Sequence, residues 1–227
     1  MRFYTVNNKN PIHIFYHVYQ VKNWEILYQE QIHALYVSGL MNECTKLHIG
    51  VVGNIPLFYV PDNAEVTYHQ ENNGETDTLK MVRDFCIDNE CRVMFFHTKG
   101  VSKGDRYSNS WRLFMEYFIV HKWRECIEYL NEYDCCGCNW TIETSWGQFP
   151  HFSGTFWWAT SGHIRTLEDK WLEVKDEVGN RYNREFWIGS SFFKGHVKVK
   201  ELWNSGLNLK YDPQHYWMIY PESEYIK

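Results

Sequence analysis

The chain has 227 residues, a formal net charge of -5 at pH 7 and an isoelectric point near 6.1. This length, without a break in composition, predicts one domain over residues 1–227. The acidic balance argues against an extended basic surface for duplex nucleic acid, so any phosphate site is expected to be local.

Cysteine usage and hydropathy predict the compartment. The seven cysteines show no regular disulfide spacing, a pattern that favours a reducing environment. Cys135, Cys136 and Cys138 lack the second spaced pair of a structural zinc site, so apolar filling is their expected role. No apolar run approaches the roughly 20 residues that span a bilayer, and the first residues lack a signal-peptide pattern. We therefore expect a soluble, cytoplasmic protein without a membrane span.

Strand and helix patterns alternate through the first hundred residues. Apolar residues at helical spacing predict one helix after Asn23 that stops at Gly39, and a second helix capped by Thr76 or Asp77. This succession is typical of a parallel α/β sheet and makes residues 1–105 the expected nucleotide-binding half. Short apolar runs predict the strands of that sheet over residues 12–18, 46–52, 64–69 and 93–96.

The stretch from residue 92 to residue 101 is the most informative part of this half. A buried strand breaks off at once into His97, Thr98, Lys99 and Gly100. Ligands of open α/β sheets bind at the carboxyl ends of the strands. An imidazole, a hydroxyl and a cation delivered there favour an anionic ligand, most simply a phosphate. The alternative is that His97 and Lys99 only solvate a turn.

The second half changes in pattern. An apolar stripe that includes Met115, Ile119 and Trp123 predicts a long helix over residues 110–131. The remaining expectations are strands and loops over residues 134–144 and 150–160, a helix over 161–176, a basic and aromatic loop over 180–188, and paired edge strands within 197–220.

Several motifs together carry a family resemblance that covers nearly the whole chain. They are YHVYQVKNW in the first strand, the ENNG turn at 71–74, FFHTKGVS, the pair Trp111-Arg112, PHFSGTFWWA and REFW. The chain resembles small glycosyltransferases with the GT-A fold, and among them those of large viruses that infect chlorella-like algae. HTKG and HFSGTFWWA are the most specific of these motifs.

This resemblance implies a fold and an activity. The fold is a GT-A-like α/β/α sandwich with a central, mostly parallel twisted sheet, a Rossmann-like N-terminal half and a sugar and acceptor half from about residue 106. The activity is sugar transfer from a nucleotide-sugar, most simply a UDP-sugar, to a glycan or glycoprotein acceptor, in the host cytoplasm if the protein is viral. The implied nucleotide and phosphate residues are His17, Tyr19, Gln20, Asn72, Asn73, Gly74, His97, Thr98, Lys99, Gly100 and Arg112.

The chain departs from the family where GT-A enzymes usually carry Asp-x-Asp, because His97, Thr98 and Lys99 stand there. Two carboxylates would bind Mn²⁺ or Mg²⁺, whereas an ammonium group neutralises phosphate directly. Two alternatives stay open. His97 ligates a divalent metal with Asp105 nearby, or Lys99 and Arg112 replace the metal.

The resemblance also implies the catalytic side chains. Glu185 falls where many inverting GT-A enzymes place a general base, at the start of a helix over the acceptor. The alternative is a surface ion pair of Glu185 with Arg181 or Arg184. His151 is a candidate to hydrogen-bond the sugar or a phosphate. The candidate sugar and acceptor residues are Ser153, Gly154, Trp157 and Trp158, and since neighbours on a strand face opposite ways, at most one of the two tryptophans can face the sugar.

Two other functions compete with this interpretation. A non-catalytic carbohydrate or nucleotide-sugar binding protein with a degenerate GT-A site would explain the missing Asp-x-Asp. A nucleotidyltransferase would also present phosphates to an α/β sheet, but it would normally show a glycine-rich loop after the first strand. The sequence HVYQVKNW contains no glycine.

Overall fold

A seven-stranded sheet runs through both halves of the sequence in the computed structural model, which describes residues 10–144, 147–173, 182–195, 197–206 and 218–226. The strands of the described ranges are β1 (Ile12–Tyr19), β2 (Cys44–Val52), β3 (Ala64–His69), β4 (Arg92–His97), β5 (Cys135–Cys138), β6 (Trp140–Thr144), β7 (Gly147–Phe152), β8 (Trp157–Thr160) and β9 (Val199–Trp203).

The sheet order is β3-β2-β1-β4-β8-β5-β9. Strands β1 to β4 are parallel to one another, and β8 is antiparallel to both of its neighbours. The last strand, β9, runs parallel to β5 at the edge, while β6 and β7 form a separate hairpin. The expectation of a mostly parallel central sheet is therefore confirmed.

Helices cover both faces of the sheet. One apolar cluster joins the sheet to α1, α4 and α5, and a second cluster joins the opposite face to α3 and α8. Strand β1 is buried along nearly its whole length because both faces are covered. The α-helices of the described ranges are α1 (Trp24–Val37), α2 (Leu40–Glu43), α3 (Thr76–Asp88), α4 (Arg106–Glu116), α5 (Trp123–Tyr129), α6 (Ser161–Ile164), α7 (Lys170–Glu173), α8 (Asn183–Trp187) and α9 (Glu222–Tyr225).

The long helix predicted over residues 110–131 is interrupted. It begins four residues earlier, where the side chain of Asp105 accepts a hydrogen bond of 2.8 Å from the backbone N–H of Ser108 and caps α4. A π-helical turn, Tyr117–His121, separates α4 from α5. Apolar spacing identified the buried face, but it carries no signal for an extra residue in one turn.

The chain after residue 160 departs most from expectation. The helix predicted over 161–176 is wrong within the described residues, because α6 and α7 are two short helices, and residues 174–176 lie outside the description. Residues 183–187 of the predicted loop form α8. Strand β9 lies at the sheet edge as expected, and residues 207–217 lie outside the described part. None of the described helices has both the length and the apolar character that crossing a membrane requires.

Candidate functional site

The topology creates a crevice between β1 and β4. From β1 the chain continues outward through β2 to β3, whereas β4 begins the other side of the sheet, next to β8. His17 at the end of β1 lies in register with His97 at the end of β4. This is a switch point of a parallel sheet, where loops leaving adjacent strands diverge and leave room for a ligand.

A cleft of about 380 Å³ lies in this region, and its wall is mostly polar and charged. The loop after β4, the start of α3, α4 and α8 contribute to it. The lining residues are Glu75, His97, Lys99, Gly100, Ser102, Lys103, Ser108, Trp111, Thr155, Tyr182, Arg184 and Glu185.

Glu75 organises one side of the cleft. One carboxylate oxygen lies 3.1 Å from Nε of Arg184, and the other lies 3.5 Å from Nδ1 of His97. Burial would raise the pKa of the Glu75 carboxyl, but the nearby His97 and Arg184 side chains lower it to about 2. Glu75 is therefore ionised at neutral pH and fixes Arg184 at the cleft wall.

His97 connects the end of β4 to the turn after β7. Its Nε2 lies 3.1 Å from the carbonyl oxygen of Gly154, a better hydrogen-bond distance than the 3.5 Å to Glu75, so the ring proton is assigned to Nε2. Burial lowers the pKa of His97, although the Glu75 carboxylate opposes the shift. The contact of Nε2 with the Gly154 carbonyl thus holds the turn in place.

Lys99 supplies a cation inside the cleft. Its ammonium lies 3.9 Å from the centre of the Trp111 ring, within the range of a cation–π interaction. Burial lowers the pKa of Lys99, and the Glu185 and Glu75 carboxylates oppose this shift. A partly desolvated ammonium interacts with an anion more strongly than an ammonium on the open surface, because water screens its charge less.

The structure brings several predicted residues to this cleft. His97, Lys99, Gly100 and Glu185 line it, and the carbonyl of Gly154 is joined to the lining by its hydrogen bond with His97. Glu185 lies on α8, as the resemblance implied, while its alternative partner Arg181 lies outside the described residues.

The floor of the crevice contains buried polar groups from β1 and β4. Nδ1 of His17 lies 2.8 Å from the hydroxyl of Thr78, and burial lowers the pKa of His17 to about 3. The hydroxyl of Thr98 accepts a hydrogen bond of 3.0 Å from the backbone N–H of Tyr19. His17 therefore ties the end of β1 to α3, and Thr98 ties the loop after β4 to the end of β1.

A second, wider pocket opens at the ends of β2 and β3, with a volume of about 680 Å³. Tyr68, His69 and Asn72 line part of it. The amide of Asn72 donates a hydrogen bond of 3.0 Å to the hydroxyl of Tyr19, which ties this pocket to the end of β1. Gln20 braces the adjoining loop through two hydrogen bonds with the backbone of Ile55, of 2.6 and 2.9 Å.

The turn at Asn73 and Gly74 explains how Arg184 reaches the cleft. The guanidinium donates a hydrogen bond of 2.7 Å to the carbonyl of Asn73. Gly74 has φ +56°, and a Cβ there would lie 1.5 Å from Nη1 of Arg184. The ENNG turn therefore admits a guanidinium from α8, a role that the sequence did not suggest.

The side chain of Arg112 does not line the cleft. This side chain is 1% exposed and binds both carboxylate oxygens of Glu116 at 3.0 Å, Glu30 at 2.6 Å and Asn109 at 2.6 Å. Burial opposes the charge on Arg112, but the Glu116 and Glu30 carboxylates raise the pKa of the guanidinium above its ordinary value. The predicted phosphate role of Arg112 is corrected to structural ion pairs with Glu30 of α1 and Glu116 of α4.

The two adjacent tryptophans are also structural. They face opposite sides of β8 as predicted, and each is buried in one of the two apolar clusters. Trp157 stacks on Phe95 with ring centres 5.3 Å apart, and Nε1 of Trp158 donates a hydrogen bond of 2.8 Å to the carbonyl of Ile119. The expectation that Trp157 or Trp158 faces a sugar is therefore wrong.

His151 and Ser153 lie behind the cleft wall. Nδ1 of His151 lies 2.7 Å from the carbonyl of Phe149, and its ring packs against Phe186 of α8. Burial lowers the pKa of His151, against the effect of Glu185. The backbone N–H of Ser153 donates to Asn139. Both residues are buried, so they support the wall rather than line it.

The acidic and imidazole groups near the cleft do not converge on a metal site within the described residues. Asp105 accepts hydrogen bonds from the backbone and hydroxyl of Ser108. It lines a neighbouring pocket beside α1 that shares Lys99 and Gly100 with the cleft but is not lined by His97. Within the described ranges, no group of three or more His, Cys, Asp or Glu side chains could hold a metal ion. The donor groups of the described residues therefore do not fit a metal centre built by the protein alone.

Eight lining residues were absent from the predicted site, among them Glu75, Trp111, Thr155 and Arg184. Glu75 and Arg184 are separated by more than a hundred residues, and only the fold joins them. Trp111 belongs to the Trp111-Arg112 pair and Arg184 to the REFW motif, so the family resemblance was the one sequence signal that could have identified them. Thr155 follows the glycine of HFSGTFWWA, but nothing in its residue type marks it as unusual.

The fold and the cleft define a mixed α/β protein with a polar, charged site at the switch point of a mostly parallel sheet. The chain belongs to the family of the domain of unknown function DUF8361, whose model matches residues 15–171. No curated protein matches the chain. The crystal structure of HddC from Yersinia pseudotuberculosis aligns over 92% of this chain and 97% of its own, with a TM-score of 0.46 and 8% identity. At these values the likeness bears on neither activity nor substrate.

Proposed function

We propose that this protein is a GT-A-type glycosyltransferase that uses a nucleotide-activated sugar, most simply a UDP-sugar, and a glycan or glycoprotein acceptor. The observation that carries the proposal is the juxtaposition of Lys99 and Glu185 in one cleft at the switch point. Glycosyl transfer needs a group that stabilises a diphosphate leaving group and a carboxylate that receives the proton of the acceptor hydroxyl.

Lys99 would stabilise the leaving group. As the bond between the anomeric carbon and the diphosphate oxygen breaks, negative charge grows on that oxygen. The ammonium, held over Trp111, is already oriented and partly desolvated, so little reorganisation is needed when the charge develops. The ionised Glu75 holds Arg184 beside it as a second cation of the wall.

Glu185 would act as the general base. In the proposed step the acceptor oxygen bonds to the anomeric carbon, its proton passes to the Glu185 carboxylate, and the electron pair of the breaking bond leaves with the nucleoside diphosphate. The short helix α8 carries Glu185, which lines the cleft. The nucleoside would bind in the wider pocket near Asn72 and Tyr68, because a hydrogen bond joins this pocket to the end of β1.

Ligand binding tests this proposal first. Thermal-shift and calorimetric titrations with UDP, GDP, CMP and UDP-sugars, each with Mn²⁺ and with EDTA, report any ligand that prefers the folded state. Selective stabilisation by UDP compounds is expected. Its loss or survival in EDTA decides whether the donor brings a metal ion with it. No shift with any nucleotide would refute the proposal.

A variant pair locates the phosphate site. Lys99→Ala is expected to weaken UDP binding roughly 10- to 100-fold, since a hydrogen bond to a charged group contributes about 1.5–3 kcal/mol. Lys198→Ala, which removes an exposed ammonium just before β9, is the matched control. Equal UDP affinity in the two variants would exclude Lys99 from the phosphate site.

A non-catalytic nucleotide-sugar binding protein is the second candidate. This candidate is favoured because His97, Thr98 and Lys99 occupy the positions where GT-A enzymes usually carry Asp-x-Asp. Binding of a UDP-sugar without transfer to any acceptor, and without slow hydrolysis of the donor, would support this candidate over the enzyme.

A further inference from the structure

The backbone at Thr155 is strained. Thr155 has φ +61°, in the left-handed region that β-branched residues rarely occupy. Glycine and asparagine adopt this conformation at much lower cost. Such outliers concentrate at ligand-binding sites, where the surrounding structure imposes them. A threonine kept at this position therefore needs an explanation in its side chain.

The surrounding turn is held firmly on both sides. The preceding Gly154 has φ +101°, and its carbonyl accepts the hydrogen bond from His97. A Cβ on Gly154 would lie 2.6 Å from the sulfur of Met115, so the turn packs directly on α4. The backbone N–H of Thr155 donates a hydrogen bond of 3.3 Å to the carbonyl of Phe152. These contacts fix where the Thr155 side chain lies.

The Thr155 side chain lines the cleft that also contains Lys99 and Glu185. The residue is only 4% exposed. Within the described part of the chain its hydroxyl makes no hydrogen bond. A hydroxyl that lines a cleft and makes no hydrogen bond within the protein can donate to and accept from a ligand there, so it is a candidate ligand contact.

We infer that the Thr155 hydroxyl binds the sugar moiety of the donor, through a hydrogen bond with a sugar hydroxyl. This inference rests on the proposed function and names a residue that selects its substrate. A neutral hydroxyl both donates and accepts, as a sugar hydroxyl does, whereas the phosphates are matched by the cation Lys99. The contacts of the strained turn hold the hydroxyl in place before the donor binds.

Three substitutions at this position separate the hydroxyl from the shape of the side chain. Thr155→Val keeps the branched shape and removes the hydroxyl, Thr155→Ala removes both, and Thr155→Ser keeps the hydroxyl. Calorimetry compares UDP with UDP-glucose, UDP-galactose and UDP-N-acetylglucosamine. For the UDP-sugar that wild-type protein binds best, the Val and Ala variants are expected to lose about 3- to 10-fold in affinity, with UDP affinity unchanged. The Ser variant is expected to keep the affinity of the wild type.

Each contrary result has a distinct meaning. Unchanged UDP-sugar affinity in both the Val and Ala variants would overturn the role of Thr155, and so would an equal loss for UDP and UDP-sugar. If wild-type protein binds none of the four compounds, the proposed function fails, and this is known before any variant is made.

The melting temperature of Thr155→Gly tests the backbone strain at this position without any ligand. It is expected to equal or exceed that of the wild type, because relief of the strain offsets the lost side chain. A clear decrease would show that the packing of the side chain outweighs the strain, and would remove strain as an argument for a ligand role of Thr155.

Discussion

Acidification should destabilise this protein through two buried imidazoles, His17 and His48. Burial lowers the pKa of His17 to about 3 and that of His48 to about 4, from an ordinary value of 6.5. His48 lies 3.1 Å from a nitrogen of His13 and stacks on Phe15 with ring centres 4.4 Å apart. In the unfolded chain both groups take up a proton near neutral pH, whereas in the folded protein they stay neutral.

The free energy of unfolding therefore falls as the pH drops below 6.5, and the loss continues until the folded pKa values are reached. Between about pH 7.5 and pH 5, each imidazole is expected to contribute a loss of ~2 kcal/mol, or ~4 kcal/mol together. Urea unfolding followed by tryptophan fluorescence at the two pH values measures this loss.

A variant assigns half of the loss to His48. His48→Phe keeps an aromatic ring between the strands but cannot bind a proton, so the loss should shrink by ~2 kcal/mol. His33→Asn, on the exposed face of α1, is the control. A total loss below about 1 kcal/mol, or the same loss in His48→Phe as in the wild type, would refute the argument.

Three further predictions concern the cleft and its support. Glu185→Gln should lower sugar transfer roughly 100- to 10,000-fold with donor affinity preserved; undiminished transfer would exclude Glu185 as the base. Gly74→Ala should cost about 1–2 kcal/mol in urea unfolding and weaken UDP binding, because a Cβ displaces Arg184, and wild-type behaviour in both assays would contradict this. Arg112→Leu should cost about 3–5 kcal/mol of unfolding free energy, since it leaves the Glu116 carboxylate buried without its partner, and a stable variant would show that the pair is dispensable.

Local patterns were sufficient for the first half of the fold. The four parallel strands and the two predicted helices, α1 and α3, lie within a few residues of their predicted positions, because each apolar run is short, strongly patterned and ended by polar residues. The four-residue helix α2 was not predicted. The same reasoning placed Lys99 at a carboxyl strand end. It was less successful after residue 105, where the helices are interrupted or only a turn long and periodicity is a weak signal.

The misassigned side chains have a common cause. Arg112 was expected at a phosphate because of its charge, yet two carboxylates from α1 and α4 surround it. Trp157 and Trp158 stand in a motif beside the cleft, yet β8 is an internal strand covered on both faces. Residue type gives what a side chain can bind, but the neighbours that it actually meets come from distant parts of the chain.

The sequence by itself determined the class of fold, the strand end that carries Lys99 and the turn that carries Gly74, because each depends on residues close together in the chain. Only the tertiary structure decided that Glu75 meets Arg184, that His97 holds the carbonyl of Gly154, and that Thr155 lines the cleft in a strained conformation. These contacts join segments that are tens to more than a hundred residues apart. Periodicity and local propensity carry no information about such pairs, because their geometry is set by the packing of α3, α8 and the turn after β7 around one switch point.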